Sequence, residues 1–181
     1  MSENQEYELL RKCRNGDRKA QKAIYDRLAP KMYPLCIRYV GNREVAQDIL
    51  QDGFITLFSK LETYLGTGSF EGWARKIFVN ESLMYLRKND ALKMSDDLDT
   101  AYDMKTDMTS PLEDISYNEL MQLVTGLPTG FRTIFNMFVI EGYSHKEISE
   151  QMGITETTSR SQLNRARAWL KKRIASKDNG K

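Results

Sequence analysis

The stretch SHKEISEQMGITETTSRSQLNRARAWLKKR, residues 144–173, confines the last third of the chain to very few shapes. Ser144 followed three residues later by Glu147 is a capping box, in which hydroxyl and carboxylate satisfy the free amides that open a helix. Ile148 and Met152 give that short helix an apolar side, and Gly153 permits the left-handed turn that stops it. Ile154 plugs the turn and Thr155 caps a second helix. Two short helices joined by a glycine-bearing turn form a helix-turn-helix, the geometry that seats a second helix in the major groove.

The chemistry of the second helix agrees with that geometry. At about 100° per residue, Leu163, Ala166 and Leu170 form the inner stripe. Thr157, Ser161, Asn164 and Arg165 then point outward, with Arg160 and Gln162 on the flanks. Arginine can grip guanine, and glutamine or asparagine can pair with adenine. Arg167, Lys171, Lys172 and Arg173 are placed for phosphates, which position a protein without specifying sequence. After Glu156 no acid occurs until Asp178, while eight Lys or Arg lie between 160 and 181. A helix needing only solubility mixes both signs, so the predicted partner is an anion, duplex DNA.

Charge along the whole chain is divided. The net charge of +2 conceals the segment Asp90–Asp114, which has eight acids against Lys93 and Lys105. That segment has little periodicity and reads as a solvated linker. Helix punctuation is dense on both sides of it, and strand signals are nearly absent. The predicted fold is therefore all-α: two small helical domains joined by an acidic flexible linker, the second a helix-turn-helix. The expected boundaries are 1–90, a linker at 91–111, 112–175, and a basic tail at 176–181.

In the first domain a short helix with Leu9, Leu10 and Cys13 should stop at Asn15-Gly16, and Asp17 should cap the next. Pro34 sits inside a helical pattern, so a kink or restart is expected there. Gly41-Asn42 separates that segment from a long helix of about Arg43 to Leu61, striped by Leu50, Phe54, Leu57, Phe58 and Leu61. Asp48, Gln51 and Asp52 fall on its other side. Gly53 in mid-helix costs about 1 kcal/mol relative to alanine and requires a reason such as close packing. After a flexible loop with Gly66 and Gly68, Ser69 or Phe70 opens a helix in which Trp73, Ile77, Asn80 and Met84 share a face. Tyr64, Phe70, Trp73, Phe78 and Tyr85 alternate there with Arg75, Lys76, Arg87 and Lys88, a pattern suited to stacking unpaired bases while cations follow phosphates. Most of these aromatics are equally suited to a core.

Other classes fit poorly. With one histidine, His145, and two cysteines, Cys13 and Cys36, no metal-ligating pattern forms. Asp48 and Asp52 face one way, yet nothing completes an acid/base site around them, so no catalytic residue, metal or cofactor is expected. No apolar run spans a bilayer and no N-terminal apolar leader occurs, which predicts a cytoplasmic protein with free thiols and no membrane insertion.

The ordered words DILQDGFITLFSKLETY, GSFEGWARKIFVN, LPTGFRTIFNMFVIEGYSHKEISEQMGIT and SRSQLNRARAWL cover most of residues 7–175. In that order the chain resembles bacterial RNA polymerase sigma factors of the extracytoplasmic-function group. The resemblance implies a transcription initiation factor that is not itself an enzyme. Its partners would be core RNA polymerase and promoter DNA, duplex and melted, with an anti-sigma factor left open. It assigns polymerase binding to Asp48, Gln51 and Asp52. It assigns the melted −10 strand to Tyr64, Trp73 and Asn80, and the −35 duplex to Arg160, Ser161, Gln162, Asn164, Arg165, Arg167 and Lys171. The acidic linker would thread the RNA exit path. Ser159 stands where such proteins often carry an apolar residue, Met84 where a polar one is frequent, and Gln162 where a basic one is common. A conventional helix-turn-helix regulator, binding duplex operators without polymerase, is the alternative.

Overall fold

A computed structural model describes residues 3–89 and 117–178, and every element among them is helical. The chain divides into two compact units, Met1–Tyr85 and Leu86–Lys181. The predicted linker at 91–111 lies outside the described residues.

The first unit is built from α1 (Glu3–Arg14), α2 (Arg18–Val40), α3 (Arg43–Ser59), a 3-10 turn at Leu61–Thr63 and α4, which runs Phe70–Lys88. Its breaks follow local chemistry. Gly16 has φ +78°, and the Asp17 carboxylate accepts from the Lys19 and Ala20 amides at 2.8 and 3.2 Å. Gly41 is left-handed, with its amide donating to Ile37 O at 2.7 Å. Asn42 Oδ1 then caps α3 by accepting from the Val45 amide. These side chains satisfy amides that a helix leaves free in its first turn.

The expected restart at Pro34 does not occur. Helix α2 continues through both Pro30 and Pro34. Both prolines are exposed, while Met32, Leu35, Cys36 and Tyr39 are buried completely. Loss of an amide on the solvent side is tolerated where carbonyls can turn to water, and burial of the opposite stripe keeps the helix whole. Each such fully buried large apolar side chain contributes about 1.5–3 kcal/mol.

Gly53 has the close-packing reason its position demands. A Cβ there would lie 2.3 Å from Cε1 of Phe78 on α4. Phe78 is fully buried and meets Phe54 edge-on, with ring centroids 5.1 Å apart. The missing side chain on α3 is therefore the seat of a ring from α4, and Thr56 Oγ1 donating to Glu81 Oε1 at 2.7 Å ties the same pair of helices. Cys13 and Cys36 are buried free thiols, pushed up by burial to about 11 and about 12 respectively.

The second unit contains α5 (Tyr117–Thr125), α6 (Thr129–Phe135) continuing into a π turn at Asn136–Ile140, α7 (His145–Met152) and α8, which runs Glu156–Asp178. Leu127, Ala166 and Leu170 form a small core, with Leu123, Phe131, Phe135 and Trp169 packed against it. Buried polar groups supplement it. Arg132 is only 8 % exposed, and its guanidinium donates to Thr125 O at 2.8 Å and Leu127 O at 3.3 Å. Burial pushes its pKa down, and the Thr125 carbonyl, the last of α5, is of the kind a helix terminus leaves without a partner.

Candidate nucleic-acid and polymerase interfaces

The helix-turn-helix is assembled as its punctuation predicts. The Glu147 amide donates to Ser144 Oγ at 3.2 Å, and the Ser144 amide and hydroxyl donate to Glu147 Oε2 at 2.8 and 2.7 Å. Gly153 is left-handed at φ +68°, and the amides of Gly153 and Ile154 both donate to Ser149 O. Thr155 Oγ1 accepts from the Thr158 amide at 3.0 Å, opening α8. The first turns of α7 and α8 thus need no outside partner for their geometry.

Along α8 the inner and outer faces separate cleanly. Leu163, Ala166 and Leu170 are buried, and Ser159 joins them at 0 % exposure. Thr157, Arg160, Ser161, Asn164 and Arg167 are exposed, and Gln162, Arg165 and Lys171 are half-buried. Among the predicted −35 residues, then, all lie on the open side of the helix or on its shoulder. Arg160 pairs with Glu156 one turn back at 2.7 Å. Exposed pairs of this kind are worth about 0.3–0.5 kcal/mol, so the guanidinium can exchange that partner for a base or phosphate. Arg173 lies over the Trp169 ring, 4.9 Å from its centroid, which holds a cation at the distal end of the same helix.

In the first unit the loop between the 3-10 turn and α4 is firmly held rather than slack. Arg14 of α1 donates to Tyr64 O at 2.8 Å and to Leu61 O at 3.4 Å. Tyr64 Oη donates to Gly68 O at 2.7 Å, closing the loop over Gly66 and Gly68, whose φ values are +77° and +76°. Ser69 Oγ accepts from the Gly72 amide and starts α4. Leu65 at the tip is 83 % exposed.

Tyr64, Phe70 and Trp73 form one aromatic cluster, with centroids 5.3–5.7 Å apart. Tyr64 is 8 % exposed, and its hydroxyl and ring are committed inside the loop. Expected as a stacking surface, it stands in this structure as the pin that shapes the loop. Trp73 is half-buried and keeps an open edge, and Asn80, two turns along α4, is exposed. Of the face predicted from spacing, Ile77 is turned into the core while Met84 is 58 % exposed. The structure therefore brings Trp73, Asn80 and Met84 to one face of α4 and leaves Leu65 exposed in the loop before it, an apolar group that spacing alone did not single out.

Asp48, Gln51 and Asp52 are all exposed on α3. Beside them, Tyr25, Pro30 and Tyr33 of α2 and Gln47, Leu50 and Gln51 of α3 line an open cleft of about 550 Å³. An acidic ridge next to an apolar-sided cleft suits a basic amphipathic helix, attracted by charge and seated by its apolar side. Among the described residues no cluster of three potential metal ligands occurs, and no helix is long and apolar enough to cross a membrane.

Two family models match the chain, one for each unit. The model described as Sigma-70 region 2 covers residues 24–92, and that described as Sigma-70, region 4 covers residues 117–170. An ECF RNA polymerase sigma-E factor of Haemophilus influenzae is 28% identical, over 92% of this chain and 93% of its own length. An ECF RNA polymerase sigma factor SigE of Mycolicibacterium smegmatis is 31% identical, over 81% of this chain and 58% of its own length. Among solved structures, the sigma factor RpoE in complex with the anti-sigma factor NepR from Bartonella quintana has the same fold. Its TM-score is 0.53 at 17% identity, over 85% of this chain and 96% of that one.

Proposed function

The chain belongs to the sigma-70 family, in its extracytoplasmic-function branch, and on that premise we infer a transcription initiation factor that directs core RNA polymerase to a subset of promoters. One observation carries this reading: a region 2 unit and a region 4 unit occur in that order on one chain. A conventional regulator needs only the second. Catalysis belongs to the polymerase, and the factor works with it in the cytoplasm.

Each surface takes one part of the task. The exposed carboxylates of Asp48 and Asp52, with Gln51 between them, dock the basic coiled coil of the polymerase's largest subunit, and the adjoining cleft receives its apolar side. The outer face of α8 enters the −35 major groove. There Arg160, Ser161, Gln162, Asn164 and Arg165 meet base edges, and Arg167 and Lys171 hold phosphates. Trp73 and Asn80 receive bases of the melted −10 strand over a loop that Tyr64 keeps in shape. A stacked base contributes about 1–3 kcal/mol, so a few of them offset the unpairing of the start site. For the acidic segment at 91–111, outside the described residues, the family resemblance implies the RNA exit path. The complex seen for the Bartonella sigma factor supports an anti-sigma factor as the inhibitory partner.

Transcription in vitro with purified core enzyme on a promoter library tests the reading. Initiation should depend on this chain and fall steeply with salt, as counterion release requires. Arg165→Ala should reduce initiation from matched −35 sequences several-fold and leave scrambled ones unchanged. Tight binding of duplex DNA by the chain alone, with no effect on the polymerase, would refute it.

A further inference from the structure

We propose that His145 is a positioning residue for the DNA-reading helix: its imidazole, stacked on Phe138 and hydrogen-bonded to Ser159, fixes the rotation of α8 and so the direction of Arg160, Ser161 and Gln162. The inference rests on the reading of α8 as the −35 helix.

The geometry is specific. His145 Nδ1 lies 2.9 Å from Ser159 Oγ, and the imidazole is stacked on the Phe138 ring with centroids 4.3 Å apart and planes 22° apart. Three elements are joined at one ring: the π turn after α6, the first residue of α7 and the first turns of α8. Ser159 is the only fully buried residue of α8 before Leu163. The apolar stripe of Leu163, Ala166 and Leu170 holds the middle of the helix, and it leaves the N-terminal turns, where base-reading side chains cluster, without an apolar anchor. A buried hydroxyl with one directional partner fills that place. Apolar contacts tolerate sliding, whereas a hydrogen bond weakens steeply off its axis.

The surroundings keep the imidazole neutral. Burial pushes its pKa down, Arg160 and Arg167 push the same way, and Glu156 opposes them. One face of the ring stacks on the uncharged Phe138 ring. A neutral imidazole presents one acceptor nitrogen and one donor, so Nδ1 can accept the Ser159 hydroxyl. Base-edge readout needs side chains held within roughly 0.5 Å and 10–20° of their productive positions, and the bond sits one residue from Arg160.

The test compares transcription by the full chain with core polymerase on two promoters that share a −10 element, one with a matched and one with a scrambled −35 sequence. The matched-to-scrambled ratio reads discrimination, and the melting temperature of the full chain reads stability. His145→Phe keeps the stack but strands the Ser159 hydroxyl. It should lower the ratio roughly fivefold or more, the scale set by one broken buried hydrogen bond, and lower the melting temperature as well. The double variant His145→Phe with Ser159→Ala removes the stranded hydroxyl. Its melting temperature should return toward that of the parent while its ratio stays low. A ratio that recovers together with the melting temperature, or that never moves, overturns the positioning role and leaves the −35 reading standing. A parent protein that already ignores the −35 sequence overturns that reading, and this inference with it.

Discussion

The two units solve the same problem, holding a recognition surface still, with different materials. In the first, helix faces are largely apolar and buried, with Arg38 and Ser82 the buried polar residues among them, and the surfaces proposed for recognition are residues left over on the outside. In the second, a smaller apolar core is joined by a larger share of buried polar residues, Arg132, Thr133, Asn136 and Ser159. Packing forgives small adjustments and spreads them over many contacts, whereas directional polar contacts fix angles and fail one at a time. On the proposed assignment, a unit that docks a protein helix through charge can use the first material. A unit that must aim side chains at base edges benefits from the second.

Four changes would break or sharpen this contrast. The largest effect is expected from Asp48→Arg with Asp52→Arg. Both residues are exposed, so circular dichroism and melting should be unchanged while co-purification with core polymerase disappears; continued co-purification would remove α3 from the docking surface. Next is Gly53→Ala, where the new Cβ meets Phe78 at 2.3 Å. Overpacking of that kind costs about 1–3 kcal/mol. Lost helix-interior glycine returns only about 1 kcal/mol, so denaturant melting should still report a loss confined to the first unit.

Arg132→Met probes the opposite material. It retains much of the stem and strips the donors from Thr125 O and Leu127 O. The second unit should lose about 1–3 kcal/mol, the scale for buried groups left unsatisfied, and −35 discrimination should fall with it. An unchanged melting curve would mean that the small apolar core suffices.

The smallest effect is a pH dependence. His145 has a folded pKa below its ordinary value of 6.5. The unfolded chain therefore binds its proton first, so this contribution to stability is present above pH 6.5 and is lost as pH falls through the lower folded value. Melting of the second unit should decline in that window, and His145→Phe should flatten the decline.

Much of this was legible in sequence wherever a side chain satisfies a backbone group within three or four residues. The caps at Asp17, Asn42, Ser144 and Thr155 and the stops at Gly16, Gly41 and Gly153 are such cases. The inner stripe of α8 and the oddity of Gly53 were also readable, since both follow from helical period. What escaped depends on partners far along the chain. Continuity of α2 across two prolines is decided by what buries its other face. The Arg14 contacts with Leu61 and Tyr64 bridge 47 and 50 residues, and the Ser159–His145 bond joins two helices. Tyr64 had the right residue type for stacking; its bond to the Gly68 carbonyl is local, but its inward orientation also needs the Phe70 and Trp73 rings.

The Arg14 bridge gives the amino-terminal helix a duty out of proportion to its size. The guanidinium bolts the base of the loop before α4 to α1, 50 residues earlier in the chain. Clipping ahead of α2 would remove that clamp together with the buried Leu10 and Cys13 and the Glu6–Arg27 ion pair. A single cut there would therefore loosen a loop far along the sequence from the cut itself.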